Sequence, residues 1–500
     1  MPRTLEYRIA AIAGLTTFVF HLAANPHYGF FRDELYFIIC GFHPQFGYVD
    51  QPPLTPLLAA TSQLFGHSLF LLRAIPAAFA GASVYVVCVL AAELGGTAFA
   101  LVLAAICSGL SPVLAAFGGK VGPDMVGLWL WPLAALYLVR IARGADQRLW
   151  LAVGAAIGFS AESKYSVLYF AAAFLAGLLI SPQRRLLFTK WFAAGAALAI
   201  AIALPNFIWQ AANGFPMLEV LRAGQMGKNV VLSPAAFLFA EFLVLGPLLA
   251  FVWVGGVIWA FLKPDLRYLG YGYAILMLAM ILSHAKHYYP ADVYPIFFAA
   301  GGVAIESWTQ RARYLRPIAL ALAVLGGLLF LPYVEPILPE PAFIRFNKAV
   351  GPRVGLGVTV TEHQKQTWMT QDWADMHGWP EMAQTVQHVY DGLTPAERAK
   401  AVVFAQNYGE ASAVAFYTRI PVISGHNQYY LWGTGGSEAD VMIDIGGHCW
   451  TGLHLYRKAT QAAIFSNQYV MPYENDSPIY VCRDITQPIT RIWHLAKHYE

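Results

Sequence analysis

Charge is scarce in this sequence. Asp, Glu, Lys and Arg make up 12% of its 500 residues, against about 25% in ordinary soluble domains. Hydrophobic residues make up 58%, against about 45–50%. Too little polar surface is left to coat a soluble globule of this length. A cytosolic enzyme, a disordered scaffold and a nucleic-acid binder are therefore excluded, and the composition is that of a polytopic membrane protein. Cysteine is scarce as well. There are five, with no CxxC and no zinc spacing, so no disulfide framework is expected. Cys40, Cys88 and Cys107 lie in or beside apolar runs and read as small core residues. Cys449 and Cys482 fall in a polar tail and can pair if that tail is extracytoplasmic. Internal repeats and low-complexity segments are lacking, as is the weak symmetry of an inverted-repeat transporter. No small-x-small cleavage site follows the first apolar run, so the N-terminus reads as an uncleaved signal anchor.

What is present is a series of apolar runs. A spanning helix needs roughly 20 mostly apolar residues, and eleven candidates fit. They run over 9–25, 69–93, 97–116, 124–142, 149–162, 165–180, 190–210, 235–262, 267–283, 289–305 and 316–333. The runs 149–162 and 165–180 are short and could form one buried hairpin. Basic residues sit in alternate connections: Arg140, Arg143 and Arg148; Arg184, Arg185 and Lys190; Lys263 and Arg267; Arg311, Arg313 and Arg316. By the positive-inside rule these connections are cytoplasmic. The N-terminus is then cytoplasmic and the tail extracytoplasmic, in an inner (plasma) membrane.

Polar residues return from about residue 336, which divides the chain into a membrane domain, 1–335, and a tail domain, 336–500. In the tail, Met382, Val386, Val389 and Tyr390 form an apolar stripe at helical spacing. Short β-type runs at 401–405, 421–423, 441–445 and 479–482 alternate with helix-like stretches such as 409–417. That alternation predicts a small α/β domain.

Ionisable residues at a membrane edge are costly, so their placement is informative. Four clusters fall on the outer side. They are Phe31-Arg32-Asp33-Glu34-Leu35-Tyr36 with Tyr48-Val49-Asp50-Gln51-Pro52-Pro53, all in one long loop; Lys120 to Asp124; Glu162-Ser163-Lys164-Tyr165; and His284 to Pro290. An acid at this depth can act as a general base toward an acceptor hydroxyl or amine, and partial burial tunes it. Cations and tyrosines at the same depth can hold a lipid phosphate and stabilise it as a leaving group. Together they outline sugar transfer from a membrane-embedded polyprenyl-phosphate donor.

The Asp-Glu pair after the first helix, followed by Tyr48-x-Asp50-x-Pro52-Pro53-Leu54, resembles the C-type (GT-C) glycosyltransferases. More narrowly it resembles glycosyltransferase family 39 and its relatives, which include protein O-mannosyltransferases and lipid A aminoarabinose transferases. Further elements keep the family's order: Gly154-x-x-x-Gly158 leading into Lys164-Tyr165, Pro205 to Trp209, Lys286 before Tyr288-Tyr289-Pro290, and Asn407 to Ala411 with Ser424 to Asn427 in the tail. The resemblance implies a GT-C fold of about eleven transmembrane helices, and an inverting hexosyl or pentosyl transferase. Its donor would be a polyprenyl-phosphate-linked sugar and its acceptor a glycolipid, polysaccharide or protein. It implies Asp33 as the base, Glu34 orienting Asp33 or the acceptor, and Asp124 as a second acid. Lys286 and its neighbours His287, Tyr288 and Tyr289, with Arg32, would face the donor phosphate. Tyr48, Asp50, Lys164 and Tyr165 complete the expected substrate contacts. The family's usual histidine is Gln51 here, which is kept out of the chemistry. No DxD pair occurs in the first outer loop. No obligatory cofactor or metal is therefore expected, although Asp33 with Asp124 could bind a divalent ion.

Plainer readings stand beside these. Asp124 follows Pro123 at a helix start, where the dipole favours an acid. Tyr48 to Leu54 also reads as a rigid turn that shapes the site, since Pro52-Pro53 fixes an extended backbone. Lys164 could pair with Glu162. Glu241 lies inside a span and is a second-tier site residue. His21 reads as an interhelical contact, and Gly154 with Gly158 as a packing surface. The rival reading is a transporter or flippase of lipid-linked substrates, which needs ionisable groups near the bilayer midplane and broken helices.

Overall fold

Helices form on all eleven apolar runs, and they open and close where glycine, proline and polar caps permit. The computed structural model describes residues 4–224, 232–356, 359–360 and 366–500. In chain order the helices are α1 (Thr4–Ala24), α2 (Arg32–Phe42), α3 (Leu54–Thr61), α4 (Leu69–Glu93), α5 (Ala98–Leu110), α6 (Pro112–Gly119), α7 (Asp124–Ala142) and α8 (Leu149–Ala161). They continue as α9 (Ser166–Leu179), α10 (Lys190–Ala212), α11 (Pro216–Ala223), α12 (Pro234–Val244), α13 (Ala250–Leu262), α14 (Arg267–Leu282), α15 (Tyr294–Trp308) and α16 (Leu315–Val334). By length and composition, α1, α4, α7, α10 and α16 can each cross a membrane alone.

Two of the expected spans are broken rather than straight. The run 97–116 bends by 63° between α5 and α6, where Pro112 opens the second segment. The run 235–262 bends by 86° between α12 and the segment from Pro247. Gly246 there has φ +93° and Pro247 follows it, so the helix cannot continue. The expected span 289–305 begins as a helix only at Tyr294, after a tight turn over Ala291–Val293.

The long loop expected after the first span is largely helical. α2 and α3 occupy it, and nine of the eleven residues of α2 are buried. Its charged opening, Arg32-Asp33-Glu34, obscured the apolar run Leu35 to Ile39 that packs it into the core. An acid at the third helical position, Glu34, accepts the Phe31 amide at 2.9 Å and starts the helix.

Small residues set the helix spacing. α8 and α10 meet where a Cβ on Gly154 would run into the Gly195 carbonyl oxygen. Gly158 lies against Ala199 and Ile202 on the same face, so this pair serves packing, as expected. α13 and α15 cross with Gly256 against Phe297 and Gly301 against Val252.

Connections far from the tail gather at one end. Arg140 meets Glu93 at 2.9 Å, Arg143 meets Asp265 at 3.5 Å, and the Thr97 amide donates to Glu306 at 2.7 Å. At the other end sits the tail, built around a five-stranded sheet. Strands Val422–Ser424, Ala401–Ala405 and Val441–Ile445 run parallel, and Ser477–Ile485 and Tyr456–Phe465 extend the sheet antiparallel. The expected β runs at 401–405 and 441–445 match in full. Those at 421–423 and 479–482 are shifted and lengthened, and Tyr456–Phe465 was not anticipated. Its run of exposed positions hides the apolar signal. Helices Trp379–Asp391 and Tyr408–Tyr417 pack on the sheet, with Met382, Val386 and Val389 buried and Tyr390 half-buried. Cys449 and Cys482 form a disulfide, and Cys40, Cys88 and Cys107 are buried free thiols.

Overpacking a tight crossing costs about 1–3 kcal/mol. Gly154→Val should therefore lower the thermal midpoint of the purified protein in detergent. An unchanged midpoint would contradict a tight α8–α10 contact.

Candidate active site

The first turn of α2 is fixed from below by one buried ion pair. Arg73, on α4, donates to Glu34 through Nε at 3.1 Å and Nη2 at 3.0 Å. Its remaining donors meet the backbone oxygens of Asn25, His27 and Gly29 at 2.6, 3.1 and 2.7 Å. Glu34 also accepts the Val121 amide at 3.0 Å. Both side chains are fully buried. The pair thus ties the exit of α1, the start of α2 and the segment before α7 to one point.

Above this point opens a cavity of about 1360 Å³. Its polar wall includes Asp33, Asp50, Asp124, Lys164, Tyr165, Lys286, His287, Tyr288 and Tyr289. Nine of the expected site residues, drawn from all four sequence clusters, therefore share one cavity. Its apolar wall includes Pro112, Val113, Phe239, Leu243 and Met280, and it draws on both bent helix pairs. Irregular backbone is tolerated at membrane depth where it lines such a space.

Asp124 opens α7 and pairs with Lys164. The Lys164 ammonium also lies over the Tyr289 ring at 4.2 Å and the Tyr288 ring at 5.2 Å. Burial pulls this ammonium down, but Asp124 and Tyr289 outweigh it and leave it raised, so it stays charged. The alternative pairing of Lys164 with Glu162 is not formed; Glu162 Oε1 is buried without a hydrogen-bond partner among the described residues. Tyr165 donates to Asn206 of α10, and the Asn206 amide donates on to the Phe46 carbonyl at 2.9 Å. Burial, then Lys286, lower the His287 imidazole, which is neutral at pH 7. Asp50 accepts from Tyr36 at 2.9 Å and from Asn427 at 3.1 Å. Burial pushes its carboxyl up to about 6 against those two hydrogen bonds. Asp33 is about a third exposed and accepts the Tyr408 hydroxyl at 2.7 Å.

Four expected site residues lie elsewhere. Arg32 turns toward the tail, where it bonds Tyr473 at 2.5 Å, approaches Asp375 at 3.7 Å and covers the Tyr408 ring. It lines a separate polar cavity of about 350 Å³. Glu34 is spent on Arg73. Tyr48 is buried and its hydroxyl donates to the Cys40 carbonyl at 2.8 Å, so it braces the turn after α2. Glu241 is buried in α12 and does not line the large cavity.

Sequence reasoning also missed residues. Lys120 lines the cavity, with its ammonium 2.5 Å from Asp372 of the tail and 4.3 Å from the Phe31 ring centroid. Its cluster was visible, but its partner lies 252 residues away. Tyr408 and Asn427 reach the first-loop acids Asp33 and Asp50 from the tail, and Gln428 bonds Tyr36 and Val49 beside them; the tail motifs that hold Tyr408 and Asn427 do not announce that reach. Gln51 lines the cavity too, with both amide atoms buried and lacking a protein partner among the described residues.

Asp33 and Asp124 engage different partners. Among the described residues, ligand atoms gather within 4.8 Å of one another in two tail groups: His426, His498 and Glu500, and Asp444 with Cys449 and Cys482, whose sulfurs are tied up in the disulfide. In the first group His426 Nδ1 accepts the Tyr408 amide at 3.4 Å, which favours the proton on Nε2 and takes that nitrogen out of use as a ligand.

Residues 50–209 match the family model described as dolichyl-phosphate-mannose-protein mannosyltransferase. That stretch holds Asp50, Asp124, Lys164 and Tyr165. A search of curated proteins by sequence finds no match. Among solved structures, the chain is similar to the crystal structure of ArnT from Cupriavidus metallidurans bound to undecaprenyl phosphate. Identity is 12% over 95% of this chain and 97% of that one, with a TM-score of 0.62. The apo state of the same protein matches at 14% identity and the same TM-score, with the same coverage of both chains. The cryo-EM structure of the arabinofuranosyltransferase AftD from mycobacteria matches at 14% identity and a TM-score of 0.52, over 98% of this chain and 40% of that one. The likeness to GT-C glycosyltransferases read from the motifs is borne out at the level of fold.

Removing one partner of a buried ion pair costs about 3–5 kcal/mol. Glu34→Gln should therefore lose thermal stability in detergent by a wide margin, whereas Asp33→Asn should melt near wild type. A Glu34→Gln protein that melts normally but lacks function would restore Glu34 to the chemistry.

Proposed function

We propose that this chain is an integral-membrane glycosyltransferase of the inner membrane. It takes a sugar from a polyprenyl-phosphate carrier and moves it to a lipid, polysaccharide or protein acceptor on the outer face. The observation that carries this reading is the joining of a charged wall and an apolar wall in one cavity of about 1360 Å³. Pockets for single drug-sized ligands run to about 1,000 Å³. The larger space suits a lipid phosphate and an acceptor held together. The model of dolichyl-phosphate-mannose-protein mannosyltransferases over 50–209, and the undecaprenyl phosphate bound in the ArnT structure, support the same donor class.

In this reading the prenyl chain lies along Phe239, Leu243 and Met280, and its phosphate faces Lys286. Lys164 adds a second positive charge, held in place by Asp124, which acts as a positioning residue. Tyr165, Tyr288 and Tyr289 flank the phosphate, and neutral His287 offers a hydrogen bond. Asp33 takes the proton from the acceptor hydroxyl or amine as that atom bonds to the anomeric carbon. The carbon–oxygen bond to phosphate breaks on the opposite side, and the electron pair leaves with the phosphate oxygen. One displacement of this kind inverts the anomeric carbon. Asp50, with a carboxyl near 6, lies in the same wall as a second acid close to the acceptor.

The membrane domain is residues 1–335, with eleven spans, a cytoplasmic N-terminus and basic connections in the cytoplasm. Residues 336–500 form the extracytoplasmic α/β domain, where the Cys449–Cys482 disulfide suits an oxidising compartment. The transporter reading needs broken helices and an intramembrane ionisable group on the path; both bent helix pairs border the cavity, but Glu241 does not line it.

Mass spectrometry of envelope glycans and lipid A from a deletion strain should reveal the product that disappears. Asp33→Asn should fail to restore it, with transfer down at least about 10²-fold, while binding of undecaprenyl phosphate persists. An unchanged glycan product would overturn the base role.

A further inference from the structure

Two tail segments reach across to the first-loop acids. Asn407 caps helix Tyr408–Tyr417 by accepting the Glu410 amide at 3.0 Å, which sets Tyr408 in the first turn. The Tyr408 ring is buried, packed on the Tyr36 ring at 4.6 Å and under the Arg32 guanidinium at 5.5 Å. A Cβ on the next residue, Gly409, would stand 2.5 Å from Arg32 Cγ, so glycine there lets the helix approach. With the ring held on these faces, the hydroxyl donates to Asp33 Oδ1 at 2.7 Å.

The second segment behaves alike. Asn427 has φ +45°, a backbone conformation that side chains rarely adopt. Its own amide donates to the His498 carbonyl at 3.2 Å, and its Oδ1 accepts the Glu500 amide at 3.1 Å. Held there, its Nδ2 donates to Asp50 Oδ2 at 3.1 Å. The Gln428 amide donates to the Tyr36 hydroxyl at 3.2 Å, and that hydroxyl donates to Asp50 Oδ1 at 2.9 Å.

We propose that the tail completes the catalytic site, and that Tyr408 is the positioning residue for Asp33. Tyr408 and Arg32 both face Oδ1. Oδ2 has no protein partner among the described residues, and the side chain lines the cavity. One carboxylate oxygen is anchored and the other is left to receive the acceptor's proton. The charged and titratable groups around Asp33 are Arg32, Asp50, Tyr288 and Tyr408. The inference rests on the glycosyltransferase reading of the site.

The test compares full-length wild type, Tyr408→Phe and Asp33→Asn, each expressed in the deletion strain. Initial rates of formation of the missing glycan product are measured in isolated membranes over a range of donor-lipid concentrations. Binding of undecaprenyl phosphate is measured alongside. Tyr408→Phe keeps the ring contacts and removes only the donor. Its rate should fall about 10- to 100-fold, as a displaced catalytic group requires, with undecaprenyl phosphate binding unchanged. The loss should fall on kcat and leave KM for the lipid-linked donor unchanged, because the donor contacts stay intact and only the base is displaced. KM does not depend on how much folded protein a membrane holds, and kcat is taken per undecaprenyl phosphate binding site, so a poorly accumulating variant still decides the matter. A wild-type kcat in Tyr408→Phe, with Asp33→Asn inactive in the same membranes, would overturn the inference and leave the glycosyltransferase reading standing. A full product yield from Asp33→Asn would overturn both.

Discussion

The arrangement of the site depends on the buried Arg73–Glu34 pair. Five guanidinium N–H groups meet the Glu34 carboxylate and three backbone oxygens, so the charge is compensated on every side. A charge at this depth is tolerable only when so satisfied. The demand for full satisfaction makes the pair a geometric lock, since the carbonyls of Asn25, His27 and Gly29 must turn inward together. That fixes the path from α1 into α2. The Val121 amide on Glu34 fixes the approach to α7 by the same carboxylate. Asp33 and Asp124 are thereby presented from two separate stretches of chain to one space.

Around this lock, the membrane helices are spaced by glycine contacts that leave no room for a side chain, as between α8 and α10. The breaks in the helical array fall elsewhere, at Pro112 and at Gly246-Pro247, and both broken pairs border the cavity. A rigid scaffold with local interruptions makes sense for chemistry on a lipid. Continuous helices satisfy their own backbone polar groups in hydrocarbon, whereas interrupted ones are tolerated only where they are buried in protein or line a cavity. The tail closes the other side. Lys120 with Asp372, Arg32 with Tyr473, and Tyr408 with Asp33 join it to the membrane helices by polar contacts between residues far apart in sequence.

Nine of the residues expected from the sequence line one cavity, and the departures of Arg32 and Glu34 share one cause. Arg32, Asp33 and Glu34 are consecutive, and they read as one functional cluster. On a helix of 3.6 residues per turn, neighbours point about 100° apart. Arg32 therefore meets the tail, Asp33 the cavity and Glu34 the buried Arg73. Proximity in sequence carried the right neighbourhood and the wrong roles for two of the three. Tyr48 failed differently, since its hydroxyl bonds a carbonyl eight residues back and leaves the cavity to Asp50. Lys286, His287, Tyr288 and Tyr289 all line the cavity because they occupy a short connection between α14 and α15, too short to turn away.

By itself the sequence determined where the chain prefers hydrocarbon, which ends of the helices carry basic charge, and which few ionisable residues remain at the membrane edge. These are sums over local stretches of chain, since the free energy of transferring a residue into a bilayer depends chiefly on that residue and its depth. Only the tertiary structure decided which of those ionisable groups are paired and which face open space. Pairing depends on distances of a few ångströms between residues as far apart as Asp33 and Tyr408, and Coulomb and hydrogen-bond energies fall off too steeply for composition or spacing to fix them.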